Sequence, residues 1–202
     1  IEYKDDEKNG YSKIWYSDGE LKSNFTYKDG ELNGPCKRYY RNGQLEEELD
    51  YTSDVLTGGS KSFFKDGTMS ESSDFDENGK ENGIFKEYYP NGKLYAGLTY
   101  KNGDINSYAF YDEDGGVLSE GKKKGKRLNY LRIDSNGYKN LEGEFVKGVR
   151  DGEWKITGPR GVIYSNLNYD EGKLNGPQKR YFSHGQTSKE YDCIAGNIEG
   201  LY

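Results

Sequence analysis

The sequence predicts an all-β fold, an elongated single-layer repeat of antiparallel β-hairpins with about eight units of ~24 residues. Three observations carry that expectation. Turn-forming glycines recur along the chain, apolar and polar residues alternate between them, and aromatic residues are too abundant for a solvated coil. Only 32% of residues are apolar and 32% are charged, a balance that by itself favours disorder, but 20 Tyr, 8 Phe and 2 Trp oppose it. The consistent reading is a thin core in which tyrosine rings are buried and their hydroxyls stay wet.

Glycines closing an Asn-Gly, Asp-Gly or similar pair begin at Gly19, Gly30 and Gly43 and continue to Gly172, Gly185 and Gly196. Their steps alternate near ~11 and ~13 residues. The exception runs from Gly43 to Gly67, and Asp54 stands where the missing glycine belongs. Asp6 fills the same slot near the start. Aspartate tolerates a left-handed backbone better than most side chains, so both exchanges cost little. Units therefore begin near Gly10, Gly34, Gly58, Gly83, Ser107, Asn129, Gly152 and Gly176, with residues 1–9 as the tail of an earlier one. A step of ~12 residues less its turn leaves a strand of ~7–8, which suits a hairpin and is short for a helix. Asn-Gly between such runs is the strongest local hairpin signal.

In the second strand of each unit, the residues two, six and eight places past the turn glycine share one face. Leu21/Phe25/Tyr27, Leu45/Leu49/Tyr51 and Leu94/Leu98/Tyr100 are examples, and their period of two marks half-buried strands. The eighth places form a ladder: Tyr3, Tyr27, Tyr51, Phe75, Tyr100, Phe145 and Tyr169. One hairpin alone is marginal, so each must be buried against the next. The whole chain, 1–202, reads as a single repeat domain.

The fifth unit, around 107–128, is irregular. Its turn reads DEDGG, Tyr111-Asp112 replaces an aromatic pair, and the ladder place falls on Lys123 within GKKKGKR. That basic stretch reads as a solvated hairpin tip, or as an anion site of Lys122, Lys123, Lys124, Lys126 and Arg127, or as a weak point in the packing. Cys36 and Cys193 lie many strands apart in an open ribbon, so both are expected as free, packed thiols. His184 takes the place of Asn or Asp before a turn glycine and is expected to have a left-handed backbone. Among Glu46, Glu47 and Glu48, Glu47 shares the face of Leu45 and Leu49 and is expected at a ribbon edge. One histidine, dispersed acids and no cysteine pair offer no metal or cofactor site.

The segment EGEFVKGVRDGEW, 142–154, resembles the MORN repeat. Units such as GPCKRYYRNGQLEEELDY and GIFKEYYPNGKLYAGLTYKNG look more like the bacterial variant of YwqK-type antitoxin proteins. The resemblance covers Gly10 to Tyr202 and implies rows of antiparallel hairpins that hold partner proteins, with an immunity or antitoxin role. MORN repeats attached to lipid kinases owe that activity to a domain with no counterpart in these motifs.

Three functions compete. The first is a non-catalytic scaffold gripping a protein partner, such as a toxin, through Tyr27, Tyr51, Phe75, Tyr100, Phe145 and Tyr169, since tyrosine is favoured at interfaces. The second is peripheral membrane or phospholipid binding through the basic stretch at 122–127. The third is an enzyme, disfavoured because nucleophile elbow, phosphate cradle and metal spacing are missing. A net charge of −6 argues against nucleic acid. No run of apolar residues is long enough for a membrane helix. The initial Ile fits a processed, extracytoplasmic protein or a cloned fragment.

Overall fold

A computed structural model describes residues 2–125, 127–133, 139–158 and 161–201. It is all-β, built from antiparallel hairpins, with no α-helix among the described residues. The chain divides into two compact bodies, Ile1–Gly103 and Asp104–Tyr202.

The first body holds β1 (Tyr3–Lys4), β2 (Glu7–Lys8), β3 (Gly10–Trp15), β4 (Leu21–Lys28), β5 (Glu31–Leu32), β6 (Gly34–Tyr39), β7 (Leu45–Thr52), β8 (Val55–Phe63), β9 (Met69–Phe75), β10 (Gly83–Tyr88) and β11 (Leu94–Lys101). Its sheet runs β3-β4-β6-β7-β8-β9-β10-β11, with β5 beside β4 and β1 paired only with β2. The second body holds β12 (Asp104–Tyr111), β13 (Val117–Lys122), β14 (Arg127–Ile133), β15 (Lys139–Val146), β16 (Val149–Thr157), β17 (Ile163–Asp170), β18 (Lys173–Leu174), β19 (Gly176–Tyr181), β20 (Thr187–Ile194) and β21 (Asn197–Leu201). There β12 and β13 form one hairpin, and the order β14-β15-β16-β17-β19-β20-β21 forms a sheet in which β18 pairs with β17.

In most repeats the two turns differ in kind; in the third both are of the first kind, since Asp76 N donates to Lys80 O and Gly79 N to Asp76 O. At the first, Tyr16 N donates to Glu20 O, Gly19 N donates to Tyr16 O, and Gly19 alone is left-handed (φ 93°). The ladder slips by one residue beside it, between Ile14 and Trp15, so this is a glycine-bulge hairpin. At the second, both loop residues are left-handed: Asp29 and Gly30 at 50° and 84°, Ser53 and Asp54 at 47° and 62°. That is the two-residue turn whose twist matches the flanking strands. Asp54 and Asp6 (63°) therefore fill glycine slots as the repeat spacing required. Asp54 also accepts a hydrogen bond from Leu32 N at 2.8 Å, which offsets part of the conformational cost.

The two-residue second turns are also joints between repeats. Gly30 N donates to Lys8 O, Asp54 N to Leu32 O and Gly103 N to Glu81 O. The first turns add side-chain joints, as Tyr16 and Tyr40 donate their hydroxyls to Tyr39 O and Phe63 O. In these two repeats the second ring of the aromatic pair thus reaches the next repeat.

The core lies along the middle of the ladder face, where the third residue of a repeat stands opposite the sixth past the turn glycine. The pairs are Ser12–Phe25, Cys36–Leu49, Phe85–Leu98, Trp154–Leu167 and Gln178–Tyr191. Two further pairs, Tyr108–Gly121 and Tyr130–Gly143, set a large ring against no side chain. Small faces large in Ser12–Phe25 and in the two glycine pairs, whereas the third repeat sets Ser60 against Ser73 at the same place. These pairings also move two repeat boundaries. Asn106 and Leu128, instead of Ser107 and Asn129, take the place that Gly10 holds, because the strand register counts from the buried ring.

Around that point the second body has its densest packing. Tyr108, Phe110, Tyr130, Phe145 and Trp154 form a chain of rings with centroid separations from 4.9 to 6.3 Å. Between β13 and β14 the ladder is replaced by side chains: Leu131 N donates to the Tyr108 hydroxyl at 3.0 Å, and Ser119 donates to Leu131 O at 2.9 Å.

Candidate functional site

The ladder residues lie on the same face as the buried centre but toward its margin. Tyr27, Tyr51, Phe75, Tyr100, Phe145 and Tyr169 are half-buried, while Tyr3 is exposed. Five of them face a glycine across the ladder: Gly10–Tyr27, Gly34–Tyr51, Gly58–Phe75, Gly83–Tyr100 and Gly152–Tyr169. No cross-strand side chain covers the ring from that side. On the other side Tyr27, Tyr51 and Tyr169 are flanked by Leu32, Leu56 and Leu174.

Cations attend two of the rings. The Lys8 ammonium sits 4.9 Å from the Tyr27 centroid. The Arg150 guanidinium lies 4.9 Å from Trp154 and 5.4 Å from Tyr169, and its Nη1 donates to the Tyr169 hydroxyl at 3.0 Å. Burial raises the Tyr51 phenol above its ordinary value, with Cys36 and Glu47 adding to the shift. The result is a periodic aromatic strip, partly wet and rimmed by charge.

The basic stretch is divided. Lys122 and Lys124 are exposed. Lys123 is drawn in: its backbone N donates to Asn106 O, and its ammonium pairs with Asp104 at 3.0 Å with 20% of the side chain exposed. Arg127 opens β14, and Lys126 lies outside the described residues.

Two smaller expectations are corrected. His184 is not left-handed; the following Gly185 (φ 87°) takes that conformation, because a glycine-bulge turn needs it at one residue only. The imidazole stacks on Phe182 at 5.4 Å and shares a hydrogen bond with Gln186. Glu47 is not at an edge, since β7 has a partner on each side, Arg38 on β6 and Ser62 on β8. Arg38 binds it at 3.0 Å and Glu46 at 3.2 Å. Cys36 and Cys193 are free and buried as expected.

Sequence reasoning missed a second periodic row, on the opposite face. The fourth residue of each repeat in the first body is Lys13, Lys37, Lys61 or Lys86. Across the strands these alternate with Asn24, Glu48, Ser72 and Gly97. The signal was a lysine recurring at the repeat period, hidden because polar positions were not aligned. An open hollow of about 510 Å³ lies at one end, lined by Glu2, Tyr11, Lys13, Trp15 and Asn24. In the second body a hollow of about 550 Å³ is bordered by Glu142, Glu144, Asp151 and Glu153 over Gly143 and Gly152. Among the described residues no group of three or more His, Cys, Asp or Glu is placed to hold a metal.

The family model for the MORN repeat variant matches residues 8–29, 32–52 and 81–102. MORN-variant repeats are matched at these three places. The matched stretches keep the 24-residue phase, 8 to 32, found in the glycine spacing. No curated protein matches the sequence. Among solved structures, one titled "Crystal Structure of TcdB2-TccC3-TEV" aligns over 93% of this chain at 11% identity and a TM-score of 0.15. The chain spans 15% of that protein's length, and at such a score the likeness guides neither fold nor function. For the MORN repeats, the conclusion that stands is a repeat scaffold.

Proposed function

We propose that this chain with MORN-variant repeats is a non-catalytic scaffold that grips a protein partner through half-buried aromatic rings, Tyr27, Tyr51, Phe75 and Tyr100 in the first body and Phe145 and Tyr169 in the second. The supporting observation is the glycine opposite five of these rings, which leaves half-buried aromatic surface open at the repeat spacing. Tyrosine contributes large, rigid contact area at low entropic cost, and its hydroxyl tolerates water when the partner is absent. An immunity or antitoxin role, with a toxin as partner, is the concrete form of this reading. The resemblance to bacterial variant repeats motivates it.

The membrane reading is the weaker of the two. Lys123 is committed to Asp104, while Lys122 and Lys124 are exposed. A lysine already paired with a carboxylate adds little of the roughly 1 kcal/mol that a free one contributes near an anionic surface. The test is a pull-down from the native host with wild type, Tyr51→Ser and Tyr100→Ser. A partner retained by wild type and lost by both variants, with both variants still folded by circular dichroism at the binding temperature, supports the scaffold. A partner held equally by all three refutes the aromatic strip as its site.

A further inference from the structure

The third repeat departs from the others at its second turn, and we infer that Asn78 in that turn is a site of spontaneous covalent modification, deamidation through a cyclic imide formed with Gly79. No ring of the aromatic strip takes part.

Asparagine is a thermolabile residue, and a following glycine shields its own backbone nitrogen least. In the first step Gly79 N attacks Asn78 Cγ. The new N–Cγ bond forms as the Cγ–Nδ2 bond breaks, and the amide nitrogen leaves as ammonia with the proton given up by Gly79 N. Water then opens the ring at either carbonyl and leaves aspartate or isoaspartate. Amide and water are consumed, acid and ammonia are produced, and nothing is oxidised or reduced.

Two kinds of hydrogen bond oppose the first step: one that engages the glycine N–H, and one that holds the carboxamide away from it. Asn-Gly recurs along the chain, and at most copies one of these is firm. Asn9, Asn33, Asn82 and Asn175 precede glycines that open β3, β6, β10 and β19, where they pair with Tyr27, Tyr51, Tyr100 and Cys193. After Asn102, Gly103 N donates to Glu81 O of the preceding repeat at 2.8 Å. In the turns of Asn42 and Asn91 the glycine N–H stays within the turn, on Tyr40 O or Tyr89 O, but the carboxamide is held. Asn42 Nδ2 donates to Lys65 O at 2.8 Å, and its Oδ1 accepts from Gln44 N at 3.2 Å. Asn91 Oδ1 accepts from Lys93 N at 3.0 Å. Asn136 lies outside the described residues.

Asn78 escapes both. Its turn is of the first kind, so Gly79 N donates to Asp76 O at 3.0 Å and not to the preceding repeat; the hairpin tip can release that bond by itself. Asn78 is exposed, and its carboxamide has no hydrogen-bond partner among the described residues. The cause is Asp76. Its Oδ1 accepts from Asn78 N at 2.9 Å and from Lys80 N at 3.0 Å, and so takes the donor that Asn42 and Asn91 receive in their own turns. Those two turns carry Tyr40 and Tyr89 where this one carries Asp76. Deamidation would place a further carboxylate beside Asp74, Asp76 and Glu77, and the isoaspartyl product would lengthen the turn by one methylene.

The test incubates the full chain at mildly alkaline pH, folded and in guanidinium chloride, and follows the amide-to-acid mass change in tryptic peptides. Trypsin separates Asn78 in 66–80, Asn42 in 42–61 and Asn91 in 87–93, and Asn78 is the single side-chain amide in its peptide. In the folded chain Asn78 is expected to convert faster than Asn42 and Asn91 by about fivefold, the worth of one hydrogen bond. In guanidinium chloride the three rates should converge. Asp76→Tyr frees Lys80 N for Asn78 Oδ1 and should slow Asn78 by about fivefold. Asn42 or Asn91 converting as fast as Asn78 in the folded chain overturns the assignment. A difference that persists in guanidinium chloride overturns its structural cause. An Asp76→Tyr chain that is folded by circular dichroism and converts at the wild-type rate overturns the part given to Asp76. The wild-type comparison decides the site whether or not that variant folds.

Discussion

Gly143→Ala should destabilise the second body, although Gly→Ala at an extended position ordinarily does the reverse. Gly143 lacks a left-handed backbone, so alanine there would stabilise by roughly 0.4–1 kcal/mol through the unfolded chain. The Trp154 indole, however, lies directly over this glycine, and a Cβ built there would overlap the ring. The indole has nowhere to go. It is fully buried, its Nε1 donates to Glu144 O at 3.2 Å, Phe145 meets it edge-on at 4.9 Å, and Arg150 caps it. Overpacking of this kind costs roughly 1–3 kcal/mol, so the net effect should be a loss of up to about 2.6 kcal/mol. Removing the ring should reverse the sign. In a Trp154→Leu background, Gly143→Ala should be neutral or stabilising by up to ~1 kcal/mol. Urea unfolding followed by circular dichroism for the four proteins of the cycle measures the coupling. A Gly143→Ala cost unchanged in the Trp154→Leu background would refute the ring–glycine contact as its cause.

Four other outcomes are expected. Asp54→Ala should cost about 1–2 kcal/mol by chemical denaturation, since it keeps the left-handed strain and removes the acceptor for Leu32 N. Burial raises the Glu71 carboxyl above its ordinary value of 4.5, with Glu87, Glu81 and Glu47 adding to the shift, so the folded chain holds this proton more tightly than the unfolded one. Stability from this group should therefore rise as pH falls from neutrality toward 4.5 and level off below, and Glu71→Gln should flatten that rise; the step is small because the side chain reaches solvent. Tyr51→Ser should cost roughly 1–2 kcal/mol in thermal or urea unfolding, less than a fully buried ring, because Tyr51 is half-buried; a loss above 4 kcal/mol would make the strip core instead of surface. Cys36 and Cys193 should react with a thiol reagent only on unfolding, since both are buried and burial also raises the Cys36 thiol.

Much of this fold was legible in the one-dimensional pattern because its contacts are local in repeat space. Backbone geometry at a turn depends on two or three residues, so Asp6 and Asp54 could be placed in glycine slots from spacing alone. Strand alternation assigned Leu21, Phe25 and Tyr27 to one face for the same reason. The period also set the repeat length and the antiparallel pairing of each hairpin.

What needed the tertiary structure was register and depth. Whether a repeat begins at Asn106 or Ser107 depends on Tyr108 sitting against Gly121, a complementarity between strands that no single strand encodes. Whether a ladder tyrosine is core or surface depends on what lies across from it, and the glycines opposite Tyr27 and Tyr51 become informative only once paired. Glu47 was misplaced to an edge because one strand does not reveal its two neighbours. The lysine row was present in the letters, but only the ladder puts Lys13, Lys37, Lys61 and Lys86 on one face. Short-range torsional preference is written residue by residue, whereas burial and field are sums over neighbours brought together by folding.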